Sequence, residues 1–176
     1  MDDSEQVPSW PLYPDLTAEI ERMVRIDQNM RERNLQEEEL WDEEIDRRNT
    51  RRMKEIVAQI GWPTVSKVGE SGVHNAWLLV QHADHDVVFQ EECLALMKKE
   101  SSGEVDITDI AYLEDRVRVN KGQQQLYGTQ FTEKGGQRVP KPVEDESEVN
   151  TRRKEMGLDT IEEYTAHMNE KYGKPT

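Results

Sequence analysis

The stretch that most constrains this chain is Asn75 to Asp86, NAWLLVQHADHD, where a continuous apolar helical pattern abruptly carries Gln81, His82, His85 and Asp86. A run as oily as Ala76-Trp77-Leu78-Leu79-Val80 belongs inside a fold, and an imidazole buried without a partner costs several kcal/mol. The fold must therefore supply His82 with a structural partner, a metal or a substrate. Apolar material is limited, since 34% of the 176 residues are hydrophobic and 34% charged, so helices have to share a small core.

The flanking pattern predicts a mainly α protein: a compact single helical domain over 16–176, of about six to seven helices, with one β-hairpin near 125–143. Residues 1–15 hold Pro8, Pro11 and Pro14 around Trp10 and Tyr13 and are expected as an extended, proline-rich arm. From Leu16 to about Arg33 the apolar residues Leu16, Ile20, Met23 and Met30 recur at helical spacing. Asp27 occupies the next position on that stripe, with Gln28 and Arg31 within a turn of it. A second helix, from about Gln36 to Ile60, is acidic in its first half and basic in its second. That order complements the helix dipole and predicts the pairs Glu43 with Arg47 and Glu44 with Arg48 on a solvated face. Its apolar side, Trp41, Ile45, Met53, Ile56 and Ile60, is interrupted by Asn49.

Gly61-Trp62-Pro63 ends that helix, and Thr64 to Gly72 reads as a loop. The central helix follows from about Gly72 to Ala83, with a turn at Asp84-His85-Asp86. A helix from Val87 to Lys98 turns Phe89, Cys93, Leu94 and Met97 inward. Another, near Asp106 to Asn120, uses Ile107, Ile110, Ala111, Leu113 and Val117 as its core face and carries Asp115 and Arg116. Two extended segments, 126–131 and 138–143, flank Lys134-Gly135-Gly136 and predict the ribbon, with Pro140 and Pro142 keeping its second arm at an edge. Helices over Glu144–Met156 and Thr160–Lys171, separated by Gly157, close the chain.

Composition excludes several functions. With 23 basic against 37 acidic residues the formal charge is −14, which argues against a nucleic-acid partner because phosphate binding needs clustered Lys and Arg. The sequence holds no apolar run of about 18 residues, so no membrane partner is expected, and the acidic start fits a cytoplasmic protein better than a secreted one. The lone Cys93 reads as a small buried hydrophobe. There is no glycine-rich phosphate loop, Gly-x-Ser-x-Gly elbow or His-Glu-x-x-His zinc motif.

The chemistry suggested is acid–base. Polar side chains stand where apolar ones are expected: Asp27, Asn49, His82, Asp115 and Arg116. Converging, they would give a proton carrier in His82, an orienting carboxylate in Asp27 or Asp115, and a cation in Arg31 or Arg116 to hold an anionic group. Gln28, Asn49, Gln81, Tyr127 and Gln130 are the candidate substrate contacts. The expected function is a cofactor-independent enzyme for hydrolysis, elimination or cyclisation of a small polar or anionic molecule. Two rivals stand beside it: an interaction module that recruits a basic partner through its acidic face, and a metal-binding protein using His82, His85 and Asp86.

Taken together, Asp27-Gln28 with Arg31, Gly61-Trp62-Pro63, Trp77-Leu78-Leu79-Val80-Gln81-His82-Ala83-Asp84, Leu113-Glu114-Asp115-Arg116 and Tyr127-Gly128-Thr129-Gln130-Phe131 resemble a bacterial, mainly actinobacterial, family known as a domain of unknown function. The resemblance spans about residues 16–172. It implies no reaction, although such families sometimes occur beside natural-product pathways, which implies a tailoring role by association alone.

Overall fold

The computed structural model describes residues 11–37 and 42–172. Among them are seven α-helices and one two-stranded antiparallel sheet, as the periodicity predicts. By its backbone contacts the chain forms two compact units, both discontinuous in sequence. The first holds the chain to His85 together with Lys99–Val105; the second holds Asp86–Lys98 together with the chain from Asp106 onward.

The first unit is built on α1 (Pro14–Glu37), α2 (Glu43–Ile60) and α3 (Val65–Gln81). Helix α1 starts two residues earlier than the arm prediction allows, because Pro14 is suited to a first helical turn. Ahead of it the backbone N–H groups of Leu12 and Tyr13 donate to Ser66 O and Lys67 O, at 3.2 and 2.8 Å. The rest of the expected arm, with Pro8 and Trp10, lies outside the described residues. The predicted second helix from Gln36 is corrected: α1 runs on to Glu37, and α2 begins only at Glu43. Asp42 caps it, its Oδ1 accepting Glu44 N at 3.0 Å. Glu38, Glu39 and Trp41 lie outside the described residues. Of the two expected charge pairs, Glu43 meets Arg47 at 3.5 Å, while Glu44 reaches Arg51 instead of Arg48, at 2.6 Å. Both are solvent-exposed and contribute little to stability.

The buried face of α2 is Asp46, Asn49, Thr50, Met53 and Ile56, a helical series on a helix that packs against both α1 and α3. Glu19 clasps the Arg52 guanidinium with both oxygens, at 2.6 and 2.9 Å, which ties α2 to α1. At the end of α2 the Lys67 ammonium donates to Ile60 O and Trp62 O, at 2.7 and 2.9 Å, supplying two carbonyls with a cation where the helix dipole favours one. The predicted loop over Thr64–Gly72 is mostly helix. Its one break is Gly69, at φ 78° and ψ 168°, a conformation a side chain rarely adopts. Beside the break, Val68 O accepts the Thr17 hydroxyl at 2.9 Å. Trp62, Val68, Ala76, Leu79, Val80 and Ala83 fill the core.

The second unit contains α4 (Val87–Met97), α5 (Ile107–Asn120), β1 (Phe131–Lys134), β2 (Gln137–Pro140), α6 (Val149–Glu155) and α7 (Ile161–Tyr172). Phe89, Cys93, Leu94 and Met97 of α4 are buried as expected, as are Ala111, Leu113 and Val117 of α5; Ile107, expected inside, is 49% exposed at the first turn of its helix. The ribbon is shorter than predicted and pairs Phe131 with Pro140 through Lys134 with Gln137. Asn169 of α7 lines its outer edge. The side-chain amide both accepts Arg138 N and donates to Arg138 O, each at 2.8 Å, as a neighbouring strand would. Tyr164 of the same helix stacks edge-on against Phe131 and Tyr112. The helix predicted from Glu144 is preceded by a 3-10 turn at Glu146–Glu148 and starts as an α-helix only at Val149; Gly157 ends it with φ 68°. Among the described residues no helix is long and apolar enough to cross a membrane.

Candidate functional site

Within the first unit the misplaced polar residues of three helices meet. Asp27 lies on the inner face of α1 and is fully buried. His82 is the residue that ends α3, rather than lying within that helix as expected: its backbone N–H still reaches Leu78 O, and the turn that follows tips its ring toward α1. His82 Nδ1 stands 2.9 and 3.1 Å from the two Asp27 oxygens. Arg31, one turn along α1, donates Nε to both oxygens at 3.1 Å, and Gln28 Nε2 adds a bond at 2.8 Å. Arg31 then reaches across to α2, where Nη2 meets Asp46 Oδ1 at 2.7 Å. The order of the network is thus His82, Asp27, Arg31, Asp46.

The electrostatics assign the protons. Burial alone would raise the Asp27 carboxyl, but the His82 ring and the Arg31 guanidinium bonded to it outweigh burial and hold it down at about 2. Asp27 is therefore a carboxylate at neutral pH and can only accept. The ring nitrogen that faces it must therefore donate, so His82 Nδ1 carries the hydrogen of this bond. Among the described residues Nε2 has no hydrogen-bond partner, and the His82 side chain keeps 15% of its surface exposed. Asp46 is pushed the other way, up, by burial and by the nearby Asp27 charge, against the pull of Arg31.

Asp46 is the member that sequence reasoning missed. Aligning α2 on Ile45, Asn49, Met53 and Ile56 puts Asp46 among the solvated charges. Aligning it on Asn49, Thr50, Met53 and Ile56 puts Asp46 one turn before them on the buried face, where the structure has it. Asn49 is 3% exposed, and its Nδ2 has no hydrogen-bond partner among the described residues. Gln81 is buried beside His82 in the chain. A cleft of about 430 Å³ opens along α1 and the start of α2, lined by Ile26, Asn29, Met30, Arg33, Asn34, Asp42 and Ile45. Its walls are sequence neighbours of the network, and none of Asp27, Arg31, Asp46 or His82 lines it.

The proposed metal triad is not assembled by a helix. Helix α3 ends at Gln81, so His82 and His85 do not share a helical face; His85 is exposed, and the Asp86 carboxylate caps α4 by accepting Phe89 N at 3.1 Å. Among the described residues no group of three or more His, Cys, Asp or Glu side chains is placed to hold a metal ion.

The remaining candidates belong to the second unit, where they build a loop clasp. Asp115 is fully buried and accepts Leu126 N, Tyr127 N, Thr129 N and the Thr129 hydroxyl, at 2.7, 3.0, 2.9 and 2.9 Å. Burial pushes its carboxyl up, and those donors oppose the push. The carbonyls of the same loop point the opposite way: Leu126 O accepts Arg152 Nε, and Tyr127 O accepts Arg153 Nη1. Gln125, also fully buried, binds Gln130 N, Gln130 O and Lys141 O. Arg116 Nη1 donates to Gln130 Oε1 at 3.2 Å. Asp115, Tyr127 and Gln130 therefore come together within the second unit as parts of a loop, with polar groups directed largely at one another. Arg152, Arg153 and Gln125 had not been foreseen, and their signal was the density of amide and guanidinium side chains around a loop too short to satisfy its own backbone.

Searches among curated proteins and among solved structures returned no match to this chain. The family described as a family of unknown function, DUF6624, matches residues 14–175, which takes in both units and every residue of the His82 network. The chain belongs to that family.

Proposed function

We propose that the first unit is an acid–base site in which His82 Nε2 takes a proton from a small polar molecule and returns it to the product, without an organic cofactor. The observation that carries this reading is the 2.9 Å bond from His82 Nδ1 to a buried carboxylate, with the opposite ring nitrogen directed away from any described partner. Asp27 fixes the tautomer and the ring plane, and it faces the positive charge that the ring acquires on taking the proton. Arg31 in turn holds Asp27 and Asp46 in place, so its role is positioning rather than substrate capture. Hydrolysis, elimination and cyclisation all fit a single base that becomes the acid of the following step. A cytoplasmic setting is in keeping with the fully buried thiol of Cys93.

The test needs no known substrate. Nitrogen-15 spectra of the imidazole rings should show His82 at neutral pH with its proton on Nδ1 and an unprotonated Nε2. Diethyl pyrocarbonate, which acylates an accessible imidazole nitrogen, should then modify His82, and the modification should slow in Asp27→Asn. A His82 ring carrying its proton on Nε2, or one that the reagent does not reach, overturns the proposal.

A further inference from the structure

The cleft of about 430 Å³ between α1 and α2 has a cation on one wall and an anion on the other, and the two do not pair with each other. Its α1 wall is Ile26, Asn29, Met30, Arg33 and Asn34. Those spacings of three and four residues place them on one helical face, about 12 Å long at 1.5 Å per residue. Its α2 wall is Asp42 and Ile45. The helices run antiparallel, since Glu19 meets Arg52 while Arg31, further along α1, meets Asp46, earlier in α2. Arg33 and Asp42 therefore share the end where α1 closes and α2 opens, and Ile45, Met30 and Ile26 follow along the cleft.

We propose that this cleft binds a zwitterionic amino acid with an aliphatic side chain, its carboxylate on Arg33, its ammonium on Asp42 and its side chain along Ile45, Met30 and Ile26. Three observations carry the proposal. Among the described residues the Arg33 guanidinium makes no hydrogen bond or ion pair, and the Asp42 carboxylate bonds only Glu44 N, through Oδ1. A ligand with a single charge would satisfy one wall and be brought up against a like charge on the other. One carrying both charges on neighbouring atoms suits both, and the planar guanidinium fork matches a carboxylate. The apolar end is the second observation: Ile26 is 44% exposed, an aliphatic side chain left in water on the wall of a cleft that a ligand's hydrocarbon would cover. The third is size, since the volume falls in the range of small-molecule pockets. The site stands apart from the acid–base reading, because no member of the His82 network lines it.

L-Leucine is the probe, titrated into the full chain while the Ile26, Met30 and Ile45 methyl groups and the Asn29 amide are followed by NMR. It should shift these signals with a Kd of about 1 mM or tighter. Glycine, which keeps both charges and lacks the hydrocarbon, should bind about tenfold more weakly. The single-charge analogues, 4-methylpentanoate without the ammonium and 3-methylbutylamine without the carboxylate, should each bind at least about fivefold more weakly, the loss of one charge pair at a half-open site. Asp42→Asn keeps a good helix cap and removes the anion, so in that variant leucine and 4-methylpentanoate should bind alike. Arg33→Gln changes an exposed residue and should weaken leucine about fivefold. Signals unmoved by leucine at ~10 mM overturn the proposal. So does a single-charge analogue that matches leucine on the parent chain, or an Arg33→Gln or Asp42→Asn variant that binds leucine as the parent does.

Discussion

Asp115→Ala offers the sharpest separation of scaffold from chemistry, because the consequences can be worked out bond by bond. The substitution deletes the acceptor of three backbone N–H groups and one hydroxyl. The Thr129 hydroxyl keeps the bond it accepts from Gln130 Nε2 at 3.1 Å and can rotate its proton toward another acceptor, so the loss is counted on the fixed N–H groups. An orphaned buried donor costs about 1–3 kcal/mol. Thr129 is 5% exposed and takes a middle value, whereas Leu126 and Tyr127 are half-buried, where water can reach them, and take the low end. The sum is about 4 kcal/mol, or roughly 8–16 °C in the thermal midpoint of a chain of this length. Asp115→Asn keeps one oxygen for Leu126 and Tyr127 and turns an NH2 toward Thr129 N, so it should cost about half as much. Urea unfolding gives the free energies, and hydrogen exchange at Leu126, Tyr127 and Thr129 shows whether the loop opens locally. A loss under about 1 kcal/mol for Asp115→Ala, with those amides still protected, would refute the clasp as the source of loop stability.

His82→Gln should abolish turnover, once a substrate is in hand, with little change in thermal midpoint, since the Asp27 oxygens that lose the ring keep Arg31 and Gln28. Asp27 is held at about 2 against an ordinary 3.8, so its contribution to stability, about 2 kcal/mol, is fully present above pH 4 and is lost as pH falls through 2. Asp46 is shifted upward and acts with the opposite sign, so Asp46→Asn should deepen the acid loss, read by urea unfolding between pH 5 and pH 2. Gly128→Ala should destabilise by about 2 kcal/mol or more, because Gly128 sits at φ 71° and a Cβ there would meet Ile161 Cδ1 at 2.4 Å; a stability within about 0.5 kcal/mol of the parent contradicts this packing.

Helix periodicity made most of the elements readable, because α1, α4, α5 and α7 each carry a plain apolar stripe. It failed where one residue overrides a pattern: Gly69 breaks a helix that two glycines had suggested was a loop, and Asp42 starts α2 late by capping it. The site was readable in its members rather than in its pairings. Asp27 and His82 each stood out as polar residues on an apolar stripe, but 55 positions separate them, and only the packing of α1 on α3 decides that they bond. Asp115 and Arg116 stood out for the same reason and form a different structure. Fully buried, Asp115 answers to the backbone of a neighbouring loop, whose unmet N–H groups leave no trace in a hydropathy pattern. Asp46 was hidden because a carboxylate in an acidic stretch looks like any other until its partner is known.

The contact at the front of α3 limits how this protein can be dissected. Val65 N donates to Glu104 O and Ser66 N to Glu104 Oε2, both at 3.0 Å, and the Ser66 N–H helps hold the Glu104 carboxyl below its usual range. Residues 99–105 are thus the missing end-piece of the first unit, delivered only after the chain has traversed α4. A fragment stopped at His85 would carry the whole Asp27 network yet leave the opening turn of its third helix without acceptors. Expression trials that seek a minimal version should therefore keep the polypeptide uninterrupted through Val105, and a nick between Met97 and Glu104 should loosen Val65 and Ser66 first.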